Sequence, residues 1–522
     1  MRKAHFLSSI FLSLASAQES TISLPINNTA PIEAAVVDPT FPAFAFEEAS
    51  FYSYFGNTSS ATEFSLNLLS NVVNRTNGST VIRVGGTSLD QSHYNSSLKN
   101  FIHYPKGQVG APIPKGVAFG PKFFSAFHAI PFAKYIFDIP FFHNNKNNSI
   151  EWTKAGYKAI GADRIAAFEL GNEVDHYSSK IRKSWDPSTY VTEWANWTST
   201  ISSALGLPPD AKIWDACTYS AEASGNSPPP GGPWTVPQAF TSGNLSTYKS
   251  RISTVSLHYY QALHEQSGNL SSLLLNHTFT KERMSNFSSA VEFLNKQDPP
   301  IPLDLAEVGP AIDLPKDAGD ISGVFSAALW LSDMLLHGMN IGIRRINYQQ
   351  ILGGELSLWQ PSEARGKEAR VDPKYYGLIF AADFVGKEKG VKVKEVDVGH
   401  GMGERLSAYA AWSGEGELLR VAVVNLEEWN NSTGSARRPN VTVEFSAPEG
   451  AQKMEVRKLE STTGAQDDKE EDISYAGVTY TFANNGKGEQ KKGDGVERIA
   501  VKDGKVKVVV KASEAVMISN AN

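Results

Sequence analysis

Cysteine is nearly absent from this chain. Cys217 is the only one in 522 residues, so no intrachain disulfide can form. The fold must stand on its hydrophobic core, which this length supports. Cys217 itself, in the apolar run Ile213 to Cys217, fits a small buried hydrophobe better than a nucleophile. A basic excess is missing too: the net charge of −6 offers no positive field to a nucleic acid. No segment has the length of a membrane span. A Gly-x-Ser-x-Gly elbow, a Walker loop and His-Glu-x-x-His are all absent, and the eleven histidines fall at no metal-ligand spacing. Esterase, nucleotide and zinc-protease chemistry therefore lack their signals, and neither metal nor cofactor is expected.

What is present starts at the first residues. Arg2-Lys3, the apolar stretch from Phe6 to Leu14, and Ala15-Ser16-Ala17 have the three parts of a secretory leader, residues 1–17. Asn-x-Ser/Thr acceptors recur from Asn27 to Asn440. Together these features predict a secreted protein carrying N-glycans.

Across residues 38–386, short apolar runs alternate with helical patterns. The expected strands are Pro42–Glu47, Thr80–Gly85, Lys134–Phe141, Arg164–Leu170, Lys212–Thr218, Thr254–Tyr260, Pro302–Glu307 and Arg344–Gln349. Helical periodicity appears between them, for example in Trp152–Ile160, Tyr190–Leu205 and Val324–His337. Eight strands with crossover helices predict a (β/α)8 TIM barrel. A doubly wound sheet would place a glycine-rich phosphate turn after its first strand, and none is there. Residues 387–522 change character. Alternating runs such as Leu418–Leu426, Asn440–Phe445, Lys453–Leu459, Val478–Phe482 and Lys505–Val510 predict a C-terminal antiparallel β-sandwich. The segment 18–37 can add a strand to it.

Two glutamates dominate the chemistry. Ala166 to Leu170 leads into Gly171-Asn172-Glu173, and Ile301 to Ala306 leads into Glu307. Each carboxyl ends a strand-like run, the position from which a barrel builds its active site. These are the fourth and seventh expected strands, whose ends face one another across the mouth. Hydrolysis of a glycosidic bond with retention needs two such groups about 5–5.5 Å apart, one acid/base and one nucleophile. Asn172 stands where its amide can bind the sugar 2-hydroxyl. Glu169 and Asp304, inside the same strands, are expected to be structural partners within the barrel.

The Gly171-Asn172-Glu173 and Glu307 strands, together with Arg83 to Thr87 and His258-Tyr259-Tyr260, resemble glycoside hydrolase family 79. The similarity continues through Phe325 to Gly342, Tyr375-Tyr376-Gly377 and Phe384 to Gly386. Over the sandwich it rests on architecture. The resemblance implies a retaining glycosidase acting on a glucuronic-acid-bearing glycan, with Glu173 as acid/base and Glu307 as nucleophile. It further implies that Tyr259 hydrogen-bonds the nucleophile, that Glu47 and Thr87 bind sugar hydroxyls, and that Tyr375 or Tyr376 helps bind the uronate carboxylate. The turn after Glu307, Val308 to Asp313, departs from the family pattern: it has no Gly-Gly pair, and Pro310 has no amide hydrogen to offer. Residues 351–370 have the look of an expanded loop over the mouth, suited to exo action. The alternatives are an endo-β-glucuronidase of heparanase type and a catalytically silent carbohydrate-binding barrel.

Overall fold

The computed structural model describes residues 21–521, apart from 57–59, 77–78, 178–180, 221–233, 264–267, 313–320, 400, 434–436, 492 and 494. The expected leader, the acceptors Asn57 and Asn77, and Asp313 lie outside the described residues. Eight parallel strands close into a barrel in sequence order: β1 (Pro42–Glu47), β2 (Thr80–Gly85), β3 (Ala133–Ile139), β4 (Ile165–Leu170), β5 (Trp214–Tyr219), β6 (Ile252–Ala262), β7 (Leu303–Ala311) and β8 (Arg345–Gln350). The ring closes where β8 pairs with β1, Tyr348 opposite Phe44. All eight coincide with expected strands to within a few residues. The seventh runs on to Ala311, so Glu307 lies inside it and not at its end.

These strands are buried on both faces, and their sequences show why. On β1, Phe44 and Phe46 point outward and pack edge-on against Trp359, while Phe46 also meets Phe51, Tyr54 and Phe55 of the following helix. Burying one such phenyl ring stabilises the fold by about 1.5–3 kcal/mol. Arg83, Asp138, Glu169, Asp215, Asp304 and Glu307 supply buried charge-bearing groups on β2, β3, β4, β5 and β7. Asp304 is paired with Arg344 at 2.5 Å and Arg345 at 2.9 Å, and Glu169 with Arg83. Cys217 is buried and unpaired on β5, where burial pushes its thiol up.

The crossover helices carry local start and stop signals. Pro187–Leu205, after β4, begins behind Asp186, whose side chain accepts the Thr189 amide, and has Pro187 in its first turn. It ends at Gly206, whose φ of 71° suits a residue without a Cβ.

The strands after residue 386 build a two-sheet β-domain. Its larger sheet pairs Lys392–Glu395, Leu406–Trp412, Leu418–Asn425, Glu514–Asn520 and Lys453–Ser461 in that order, all antiparallel. Its smaller sheet pairs Asn440–Ser446 with Lys505–Lys511. Residues ahead of the barrel join both: Thr21–Ser23 pairs with Asn440–Ser446, and Ala35–Val36 with Lys392–Glu395. Leu406, Ala408, Ala410 and Trp412 face the smaller sheet, whereas Tyr409 and Ala411 belong to the apolar core shared with the barrel. A polar joint completes this contact. His277, opening helix His277–Asn295, binds Asp333 of helix Phe325–Asn340 at 2.9 Å and Glu395 at 3.1 Å. His337 and Lys281 also reach Glu395, and the Tyr409 hydroxyl reaches Asp333.

Candidate active site

Beyond Leu170 the chain turns sharply at the barrel mouth. Gly171 has φ +80°, and a Cβ there would sit 2.4 Å from the Tyr177 hydroxyl, so no other residue fits. Glu173 itself is left-handed (φ 47°, ψ 55°), a conformation that costs a non-glycine residue about 1 kcal/mol or more. Its carboxylate is partly open to solvent and hydrogen-bonded at Oε1 to Nδ1 of His258, 3.0 Å away. The half-exposed ring of His176 lies 3.9 Å from Oε2.

Glu307 is held from two directions. Tyr260 donates its hydroxyl to Oε1 at 2.5 Å, and Arg83 donates Nη1 to Oε2 at 3.0 Å. Arg83 is fully buried and also binds Glu169 through Nε (3.0 Å) and the Asn172 side-chain oxygen through Nη2 (2.7 Å). Burial works against its charge, but Glu169, Glu307 and Asp138 outweigh that and hold the guanidinium well above its ordinary range. His258 is governed the same way. Burial pulls it down, the nearby Glu307 and its bond to Glu173 pull it up, and the net direction is up.

One oxygen of each glutamate and a ring nitrogen of His258 lie within 4.8 Å of one another. Oxygens this close suit the roughly 5–5.5 Å of a retaining carboxyl pair and fall short of the roughly 6.5–9.5 Å of an inverting one. Among the described residues these three are also the only such cluster of donors close enough to share a cation. Both Glu307 oxygens already have protein donors, the arrangement an ionised nucleophile needs.

The structure gathers most of the expected sugar-binding residues around this pair. Asn172 donates its side-chain amide to Thr87 Oγ1 at 3.2 Å. Glu47, the last residue of β1, accepts the Ser88 amide at Oε1 (2.6 Å) and lies 3.3 Å from the Gln349 amide nitrogen at Oε2. Gly86 (φ +97°) makes room for it, because a Cβ there would stand 2.4 Å from Glu47 Oε2. Burial, then the charge of Glu307, push the Glu47 carboxyl up to about 7.

Two expected tyrosines lie elsewhere. Tyr259 points out of the barrel: its hydroxyl binds Gln261, and its ring packs edge-on against Phe287 of helix His277–Asn295. The residue that holds the nucleophile is Tyr260, one place on. Successive side chains of a strand point to opposite faces, so His258 and Tyr260 share the inner face and Tyr259 cannot join them. Tyr375 opens helix Tyr375–Val385 and donates its hydroxyl to the Leu68 carbonyl at 2.9 Å, fully buried against Trp359 and Tyr480. Tyr376 accepts the Tyr480 amide at 2.8 Å. Both serve the joint with the β-domain, and neither can touch a sugar. Arg83, Tyr260 and His258 are the residues whose roles sequence reasoning missed. The available signal was a lone arginine in the apolar run Thr80–Gly85, on the same barrel as two glutamates.

A TIM barrel carrying a close carboxylate pair at its mouth, backed by a β-domain, is the architecture of a glycoside hydrolase. The profile of the glycosyl hydrolase family 79 C-terminal beta domain matches residues 408–517. A β-glucuronidase of Aspergillus niger is 30% identical over 455 residues, covering 83% of this chain and 81% of its own length. One from Neurospora crassa is 25% identical over 515 residues, covering 90% and 89%. The solved 4-O-α-L-rhamnosyl-β-D-glucuronidase of Fusarium oxysporum superposes with a TM-score of 0.78 at 20% identity, covering 96% of this chain and all of that one. The chain belongs to glycoside hydrolase family 79.

Proposed function

We propose that this enzyme is a retaining exo-β-glucuronidase, removing terminal glucuronic acid or 4-O-methyl-glucuronic acid from glycans. The observation that carries the mechanism is the Glu173–Glu307 pair within 4.8 Å, each member held by separate hydrogen-bond partners. Glu307, held by Arg83 and Tyr260, attacks the anomeric carbon as Glu173 protonates the departing oxygen. The covalent glycosyl-enzyme is then hydrolysed by a water that Glu173 deprotonates, which restores both carboxyls. Arg83 fixes the Asn172 side chain, so that its amide can meet the 2-hydroxyl as charge develops at the anomeric carbon.

Three observations support the substrate. The Aspergillus relative is a β-glucuronidase. Glu47, titrating near 7, carries a proton in mildly acidic medium and so does not repel a uronate. Ile113, from the β2–β3 connection, and Ile312, just past β7, both pack on the cluster of Tyr260, Leu263, Ile351 and Leu356. Such a bridge on the nucleophile's side of the mouth suits a pocket that admits a chain end.

Secretion and N-glycosylation belong to the same proposal. Asn27, Asn74, Asn95, Asn147, Asn196, Asn244, Asn269, Asn286 and Asn431 are exposed acceptors, whereas Asn430 is buried. The deciding assay is release of 4-methylumbelliferone from its β-D-glucuronide by wild type, Glu173→Gln and Glu307→Gln. Wild type is expected to be active and Glu307→Gln inactive. Full activity in either variant refutes the assignment of roles.

A further inference from the structure

Asp90 ends the short helix Thr87–Asp90 that follows β2, and it is 2% exposed. It touches neither Glu173 nor Glu307. Its Oδ1 accepts the amides of Phe141 at 2.7 Å and Phe142 at 2.9 Å, both just past β3. Its Oδ2 accepts the Tyr177 hydroxyl at 2.6 Å, and the Asn172 backbone amide lies near enough to favour its charged form. One buried carboxylate therefore ties together the loops after three consecutive barrel strands.

These last two contacts bracket Glu173. Asn172 is the residue before it, and Tyr177 lies four residues after. In this turn the chain holds Gly171 at φ +80° and Glu173 in the left-handed region, backbone states that persist only where surrounding contacts enforce them. Tyr177 is itself fixed by stacking on Trp185, ring centroids 5.6 Å apart, and Trp185 donates its indole N–H to the Val174 carbonyl at 2.6 Å.

We propose that Asp90 is the positioning residue of the acid/base: by gripping both sides of the Gly171–Tyr177 turn it aims the Glu173 carboxyl at the glycosidic oxygen. This rests on the role proposed above for Glu173. Its chemical consequence is selective. A basic alkoxide leaving group requires the proton from Glu173, whereas dinitrophenolate departs without one. Loosening the turn should therefore slow the first and spare the second.

The test measures kcat/KM, which reports steps up to formation of the glycosyl-enzyme, on cyclohexyl and 2,4-dinitrophenyl β-D-glucuronides. Wild type must cleave both and Glu307→Gln neither; failure there rejects the functional proposal, not this one. Asp90→Asn is expected to lose about 10²-fold on the cyclohexyl substrate, the scale of a misplaced catalytic group, and less than about threefold on the dinitrophenyl one. Tyr177→Phe keeps the stacked ring and removes only the hydroxyl, so it answers the question even if Asp90→Asn fails to fold. It is expected to lose about tenfold on the cyclohexyl substrate alone. Equal losses on both substrates, or no loss on the cyclohexyl substrate in Tyr177→Phe, would overturn the proposal.

Discussion

Tyr259 and Tyr260 are neighbours on one strand with opposite assignments, so exchanging each for phenylalanine gives a decisive contrast. Tyr260→Phe removes the 2.5 Å hydroxyl from Glu307 Oε1 and leaves that carboxylate to the Arg83 guanidinium. A hydrogen bond to a charged group contributes about 1.5–3 kcal/mol, so the glycosylation rate should fall about 10- to 150-fold. Tyr259→Phe does something else. It leaves the buried Gln261 side-chain oxygen without its tyrosine donor, which costs about 1–3 kcal/mol of stability and no direct contact with the reaction. Steady-state kinetics on an aryl glucuronide and urea denaturation of both variants separate the two effects. Tyr260→Phe should be slow and Tyr259→Phe should be unstable. If Tyr259→Phe instead shows the larger drop in kcat at unchanged stability, the inward register of β6 is wrong.

Two further outcomes follow from titrating groups. Glu47 titrates near 7 in the folded chain against 4.5 ordinarily, so between those values the folded state holds a proton the unfolded state has lost. Stability must then fall as pH rises through that window, by at most roughly 3 kcal/mol, and Glu47→Gln should remove the slope in denaturation series from pH 4.5 to 7.5. His277 behaves with the opposite charge type. Burial lowers its proton affinity, but Asp333 and Glu395 raise it overall from 6.5 to about 9. Its contribution is complete below pH 6.5 and disappears as pH rises through 9, again about 3 kcal/mol. The thermal midpoint should decline over that range in wild type, and His277→Asn should flatten the decline; an unchanged slope would reject the joint as a charged lock.

The barrel was legible because its strands are apolar on both faces and separated by helices with clear caps. Parts of the β-domain were not, for the same physical reason. Leu406–Trp412 is buried at every position, with Tyr409 and Ala411 against the barrel and Leu406 and Ala408 against the smaller sheet, so the alternation that marks a strand with one wet face is missing. Glu514–Asn520 is covered in the same way over most of its length. Glu173, Glu307, Asn172, Thr87 and Glu47 come together as expected, because strand ends converge wherever a barrel closes. Tyr259 and Tyr375 do not, because adjacency in a motif does not say which face a side chain takes. Strand alternation around His258 contained the answer for the first. The second depended on a helix packing against Leu68 and Tyr480, partners hundreds and a hundred residues away that no local pattern reports.

The larger sheet of the β-domain has a consequence for how the molecule is assembled. Glu514–Asn520 comes later in the sequence than every other strand of that sheet, yet it lies between Leu418–Asn425 and Lys453–Ser461 and bonds to both. A ribosome that has emitted only the first five hundred residues has therefore exposed a sheet split down its middle. Ala515 and Met517, which belong to the apolar core shared with the barrel, are still missing at that point. The two halves of the sheet join only once Glu514–Asn520 is in place, so removal of that strand should harm the enzyme as deeply as damage to the barrel itself.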